Sequence, residues 1–257
     1  MGKKASAAEI RAAKRQSLVA DSGGRKLAEV IAESIEDDIV AAGWPVGKVL
    51  GSEPDLLARF GVGREVFRAA MRILEHRGVA VMRRGVNGGL VVSEPDTSSL
   101  ARTVALLLDF NKVTGAELAD ARLVIETAAA AMAARFVDED LISALKAEIA
   151  READALDRGA ADELMEHEAH GLHILLANGA RNHPLELFVE VLIKLTTSEH
   201  GRARLNSQVR TKAGRLALAT TIHEAHRGIV EAVVSGDSAL AQHRMRRHLE
   251  AMSPWLT

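Results

Sequence analysis

Leu27, Ile31, Ile35 and Ile39 recur at four-residue steps through residues 25 to 41, which is one apolar stripe and predicts a helix. Gly43-Trp-Pro-Val-Gly47 ends it with turn residues, and Val49-Leu50 supplies a short strand. A second helix begins at Ser52, a natural N-cap followed by Pro54 in the first turn, and stops near Phe60-Gly61. After Gly63, Phe67, Ala70, Met71 and Leu74 fall at i, i+3, i+4 and i+7, while Arg64, Arg68 and Arg72 step by four on the opposite face. Val79 to Met82 alternates like a strand, Arg83 to Gly89 is a basic glycine-rich turn, and Leu90 to Val92 returns as a hairpin.

From Leu100 onward the periodicity is helical throughout. Breaks near 111–115, 137–138, 157–160, 179–184, 206–207 and 235–237 divide it into seven helices, an antiparallel all-α bundle. The expected fold is therefore mainly α, with a small two-stranded element in the front half. Aromatic residues make up only 3% of the chain, so the core must be aliphatic and alanine-rich, which agrees with packed helices.

Charge changes the picture. The overall balance of -2 conceals a front half, residues 1 to 92, with 15 basic against 11 acidic residues, and a remainder with 18 against 24. Seven arginines and two glutamates lie between Arg59 and Arg84. Such asymmetry points to an anion, with nucleic acid the leading candidate. Organisation follows: a flexible basic tail over 1–24, a basic domain over 25–92, a linker over 93–98 and a helical domain over 99–253. The absence of cysteine removes disulfides, thiolate zinc sites and thiol nucleophiles, and is compatible with a cytoplasmic location. No apolar run approaches the ~18 residues of a membrane span.

Two short helices, a glycine-containing turn and a basic second helix form a helix-turn-helix, whose second helix enters the major groove of double-stranded DNA. The alternative is an ordinary solvated arginine face. The hairpin wing favours DNA: its glycines let backbone approach a phosphate, and Arg83 and Arg84 supply charge. From GSEPDLLARFGVGREVFRAAMRILEHRGV through RRGVNGGLVV, residues 25 to 92 resemble the winged helix of GntR-family bacterial transcription regulators. The resemblance implies that Arg64 and Arg68 contact DNA and that Gly88 and Gly89 lie at the wing tip; Ser52, Arg72, Arg83 and Arg84 are the other DNA-binding candidates. A third DNA-contacting arginine of that family falls on Pro54 here, so no operator sequence carries over.

The helical half shows no phosphate loop and no Ser-His-Asp pattern. HEAH occurs at 167–170 and 223–226, but its histidines are three apart, unlike the HExxH of zinc proteases. His173, His226 and His248 fall on apolar stripes, whereas His223 and His243 align with arginines and look solvated. His226 precedes Gly236 by ten residues and His248 follows Ser238 by ten, so each is roughly 15 Å from the same turn and antiparallel packing levels them. Three inward imidazoles suit a divalent transition metal, zinc or nickel; the bland alternative is hydrogen-bonded core histidines. Arg122 also falls within an apolar stripe. Either Glu126 one turn later pairs with it, or Arg122 clamps a carboxylate ligand, and the two are compatible.

Residues 99 to 253 resemble the FCD effector domain found behind the winged helix in the FadR-like branch of the same family. This implies metal ligation by His173, His226 and His248, a small organic acid bound nearby and a homodimer on a palindromic operator. The family's aspartate ligand position is Ala169 here, with a water, His170 or Glu166 as substitutes. The expectation is a metabolite-responsive regulator. Its rivals are a metal-dependent enzyme with a basic accessory domain, and a metal-free regulator sensing a larger ligand.

Overall fold

The computed structural model of the chain describes residues 24–85, 88–167, 171–197 and 211–256. It divides into two units, Met1–Ser99 and Leu100–Thr257. The basic tail lies outside the described residues, except Gly24.

In the first unit, α1 (Gly24–Ala41) buries Ala28, Ile31, Ala32, Ile35 and Ile39, the stripe anticipated from four-residue spacing with alanines filling between. Ser52 caps α2 (Glu53–Phe60) in a capping box: its hydroxyl accepts from the Asp55 N–H, and the Asp55 carboxylate accepts from the Ser52 N–H. Gly61, at φ 64, ends α2 in the left-handed conformation that glycine adopts without strain. α3 (Arg64–His76) buries Phe67, Ala70, Met71 and Leu74 against α1.

β1 (Ala80–Arg83) and β2 (Gly89–Val92) form the antiparallel wing, in register from Ala80 opposite Val92 to Arg83 opposite Gly89. The strand expected at Val49-Leu50 is reduced to a single bridge, Val49 to Val91, with the Leu50 N–H donating to the Leu90 carbonyl at 2.8 Å. Gly89 is held there by crowding, since a Cβ would stand 2.4 Å from the Gly51 carbonyl oxygen. Gly89→Ala is therefore expected to destabilise the first unit by about 1–3 kcal/mol, read as a lowered melting temperature of a 24–96 fragment or of the first thermal transition.

After the wing every described element is a helix: α4 (Thr97–Phe110), whose first turn precedes Leu100, and then, in the second unit, α5 (Gly115–Arg135), α6 (Glu139–Asp157), α7 (Ala161–His167), α8 (Leu172–Gly179), α9 (His183–Thr197), α10 (Lys212–Val234) and α11 (Ser238–Leu256). α4 begins at Thr97, so the last two residues of the expected linker are helical. The segment 161–177, expected as one helix, is two. Gly171, just before α8, has ψ -92, outside the helical range, and a Cβ there would crowd the carboxylate at the movable end of the Glu148 side chain on α6. Ala130, Ala133 and Ala134 of α5 pack with Ala241, Met245 and Leu249 of α11 and with Ile229 and Val233 of α10. These helices, together with α6 and α8, surround the polar cluster described below. No described helix is long and apolar enough to cross a membrane.

Candidate nucleic-acid interface and metal centre

One groove in the first unit is walled by α3 and the wing. Arg64, Arg68 and Arg72 line it from α3; Arg83, Arg84 and Gly88 line it from the wing; Ser52 and Gly89 complete it. All five arginines are exposed, and none forms an ion pair with a described residue. Their neighbours outside the groove behave differently. Arg59 pairs with Asp38, and Arg77 Nη1 donates to both oxygens of Glu36 at 2.8 and 2.9 Å. Exposed ion pairs contribute little, so the contrast is one of placement: the guanidiniums unpaired among the described residues face the groove, which Glu53, Glu65 and Glu75 also line.

Ser52 lines the groove, but its hydroxyl is already engaged with Asp55, so its first task is to start α2. Gly88 sits in the wing turn, its N–H donating to the Gly85 carbonyl at 2.9 Å, and a Cβ would stand 2.4 Å from the Arg83 oxygen. Gly89 belongs to β2 and is buried rather than at the tip. Both glycines thus have a cause inside the fold.

In the second unit, His173 on α8, His226 on α10 and His248 on α11 converge. Each is at most 4% exposed, and one nitrogen from each lies within 4.8 Å of the others. His226 Nε2 and His248 Nε2 are 3.4 Å apart. Four ligands at ~2.05 Å around a tetrahedral ion stand about 3.3 Å apart, so this pair already has the spacing of a ligand edge.

Two buried carboxylates hold the histidines from behind. The Nδ1 of His173 bonds Glu126, and the Nδ1 of His226 bonds Glu152 Oε1 at 2.6 Å. Burial alone would raise the Glu126 carboxyl, but Arg122 and His173 outweigh it and bring its pKa down to about 2. Glu152 is likewise lowered against its burial by bonds to His226 and His223. A carboxylate accepts, so Nδ1 of each ring is the donor, and in a neutral ring the lone pair is then on Nε2. That donor set fits a divalent transition metal, whose histidine ligands characteristically donate their second ring N–H to a carboxylate.

Arg122 is buried on α5, and its Nε donates to Glu126 Oε1 at 2.5 Å. The pairing of Arg122 with Glu126 is therefore present, and the chain Arg122, Glu126, His173 leads to the histidine trio. Ala169 and His170 lie outside the described residues, as does the side chain of Glu166.

His243 is exposed as expected, but His223 is not solvated. Its side chain is only 12% exposed, and its Nδ1 stands 3.0 Å from Glu152 Oε2. Spacing from Arg227 suggested a polar face; the partner across the helix interface was invisible to that reasoning. Glu152 itself was missed. A signal existed, because Leu145, Ile149, Glu152 and Leu156 step by four, three and four along α6, which puts a carboxylate on an apolar stripe just as Arg122 is on α5.

Two family models match this chain. Residues 27–90 match the bacterial regulatory proteins of the gntR family, and residues 117–251, half of the chain, match the FCD domain. The Uxu operon regulator of Haemophilus influenzae is 26% identical over 224 residues, 86% of this chain and 78% of that protein. The transcriptional repressor NanR of Escherichia coli is 25% identical over 232 residues, 89% of this chain and 84% of that one. Among solved structures, the Streptococcus agalactiae GntR superposes with a TM-score of 0.67 at 22% identity, covering 89% of this chain and 99% of its own, a likeness of fold. The relatives are named as regulators, which sets the enzyme alternative aside. The groove arginines and the histidine trio thus fall within the two matched segments, and the chain belongs to the GntR family of bacterial regulatory proteins as a member carrying an FCD domain.

Proposed function

We propose that this regulator responds to a small carboxylate metabolite bound over a divalent transition metal, zinc or nickel, in its helical unit, and that it acts as a homodimer on a palindromic operator. Arg64, Arg68 and Arg72 read or flank the major groove, while Arg83, Arg84 and the backbone at Gly88 meet phosphate beside it. Twofold symmetry suits this arrangement, because two copies of α3 then reach successive major grooves. The name of the Escherichia coli relative makes repression the first mode to examine.

The observation carrying the metal reading is the pair of buried carboxylates on Nδ1 of His173 and His226, which turns both Nε2 atoms toward ligation. His173, His226 and His248 would hold the ion, which when bound supplies a positive centre for an anionic ligand. Glu126 and Glu152 orient the rings, and Arg122 lies one carboxylate away from His173, where its guanidinium can bind a carboxylate ligand in exchange for part of its hold on Glu126. Binding that favours one arrangement of the helical unit changes operator affinity by the difference in ligand affinity between the two arrangements.

The test is metal content and its thermal consequence. Purified protein incubated with zinc should carry about one ion per chain, and a free concentration one hundred times Kd should add about 2.7 kcal/mol of stability. His226→Ala should abolish both the ion and the shift in melting temperature. Protein that remains metal-free after incubation with zinc, nickel and manganese overturns the reading.

A further inference from the structure

We propose that Glu152 is a positioning residue of the metal centre, fixing His226 as the Nδ1–H tautomer before any ion arrives, and that His223 anchors Glu152 in turn. The proposal rests on the reading that the three histidines hold a metal.

Glu152 is 1% exposed on α6, and its two oxygens are divided between two histidines of α10. Oε1 is 2.6 Å from His226 Nδ1, and Oε2 is 3.0 Å from His223 Nδ1. The second HEAH motif thereby acquires a reason. Residues three apart share a helix face, so His223 and His226 meet one carboxylate on the facing helix. His226 is fully buried, with Nδ1 against Glu152 and Nε2 against His248 Nε2 at 3.4 Å. A neutral imidazole has one N–H. If that hydrogen sat on Nε2, it would point at His248 where an ion belongs, and Nδ1 would face the Glu152 carboxylate oxygen at 2.6 Å lone pair to lone pair. Glu152 removes that alternative. His223 is mostly buried and contributes no nitrogen to the trio, so its bond acts on His226 only through the carboxylate, by holding its rotamer.

The geometry also separates the two supporting carboxylates. Glu126 shares its charge with Arg122 as well as His173, whereas the bonds recorded for Glu152 are both to histidines of one helix. Glu152 therefore serves the centre specifically, and its substitution is read most directly there.

The experiment measures tautomers and zinc affinity on the full chain. In metal-free, 15N-labelled protein, long-range proton–nitrogen spectra, assigned with His226→Ala, should show His226 protonated at Nδ1. Glu152→Leu, which keeps bulk and removes both acceptors, should lose that signature and weaken zinc binding about 10- to 100-fold in a chelator competition. Glu152→Gln restores an acceptor oxygen and should recover affinity to within several-fold of the parent. His223→Ala should keep the His226 tautomer and weaken zinc by several-fold only. Should Glu152→Leu not fold, the parent tautomer and the His223→Ala titration still decide. His226 protonated at Nε2 in the parent, or a folded Glu152→Leu with parental zinc affinity, overturns the proposal. A parent that takes no zinc overturns the metal reading itself, and so is distinct from a parent that binds zinc regardless of residue 152.

Discussion

Alanine at both Arg64 and Arg68 should abolish measurable operator binding at moderate salt while leaving the melting curve where it was. Each guanidinium that reads a guanine edge in bidentate fashion is worth about 1–3 kcal/mol, and the two act from one face of α3. Folding survives because both side chains are exposed and neither is tied to a described carboxylate. Arg77 provides the internal comparison, since its bonds to Glu36 link α3 to α1, so Arg77→Ala should lower stability more than DNA affinity. Fluorescence anisotropy with operator and with scrambled duplex, at one salt concentration, separates the cases. Operator affinity unchanged in the double variant would place the interface elsewhere.

The second large effect concerns Glu126. Glu126→Leu removes the carboxylate that both Arg122 and His173 face, inside a region where Arg122 is 4% and His173 1% exposed. Breaking one partner out of a buried ionic arrangement costs about 3–5 kcal/mol, and chemical denaturation of the metal-free protein reads it. The pH dependence has a definite sign. The carboxyl titrates at about 2 in the folded chain against 4.5 for its reference, so its contribution is fully present above about pH 4.5 and is lost as pH falls toward 2. The parent should therefore lose its advantage over Glu126→Leu across that window. A variant as stable as the parent at pH 7 would show the arrangement to be energetically idle.

Most of the fold was legible because its elements are announced by local chemistry. The stripe of α1, the Ser52 cap, the Gly61 stop and the buried face of α3 all rest on residues within one or two turns of each other. The two places where periodicity misled have a common origin. At Gly171 the backbone leaves the helical range beside the Glu148 carboxylate of another helix, and at His223 a polar-looking position is covered by Glu152 from across an interface. Both depend on partners more than twenty residues away. The histidine trio was recoverable since each ring falls on its own helix's apolar stripe and the α10–α11 turn sets two of them level. Its supporting carboxylates were only half recoverable: Glu126 is one turn from Arg122, while nothing local connects Glu152 to His226.

The alanines that join α5 to α11 carry an evolutionary consequence. Ala130, Ala133, Ala134 and Ala241 are all at most 1% exposed, so the helix bearing Glu126 meets the helix bearing His248 through alanine methyl groups packed against Ala241, Met245 and Leu249. On the α5 side that seam is close-packed alanine. Exchanging one methyl for a larger group there displaces His248 relative to its partners without altering any residue that touches the ion or the ligand. The threshold at which such a sensor responds can then drift by inheritance along a hydrophobic seam while its chemistry stays constant, a history that zinc thresholds measured across natural variants of these four positions would record.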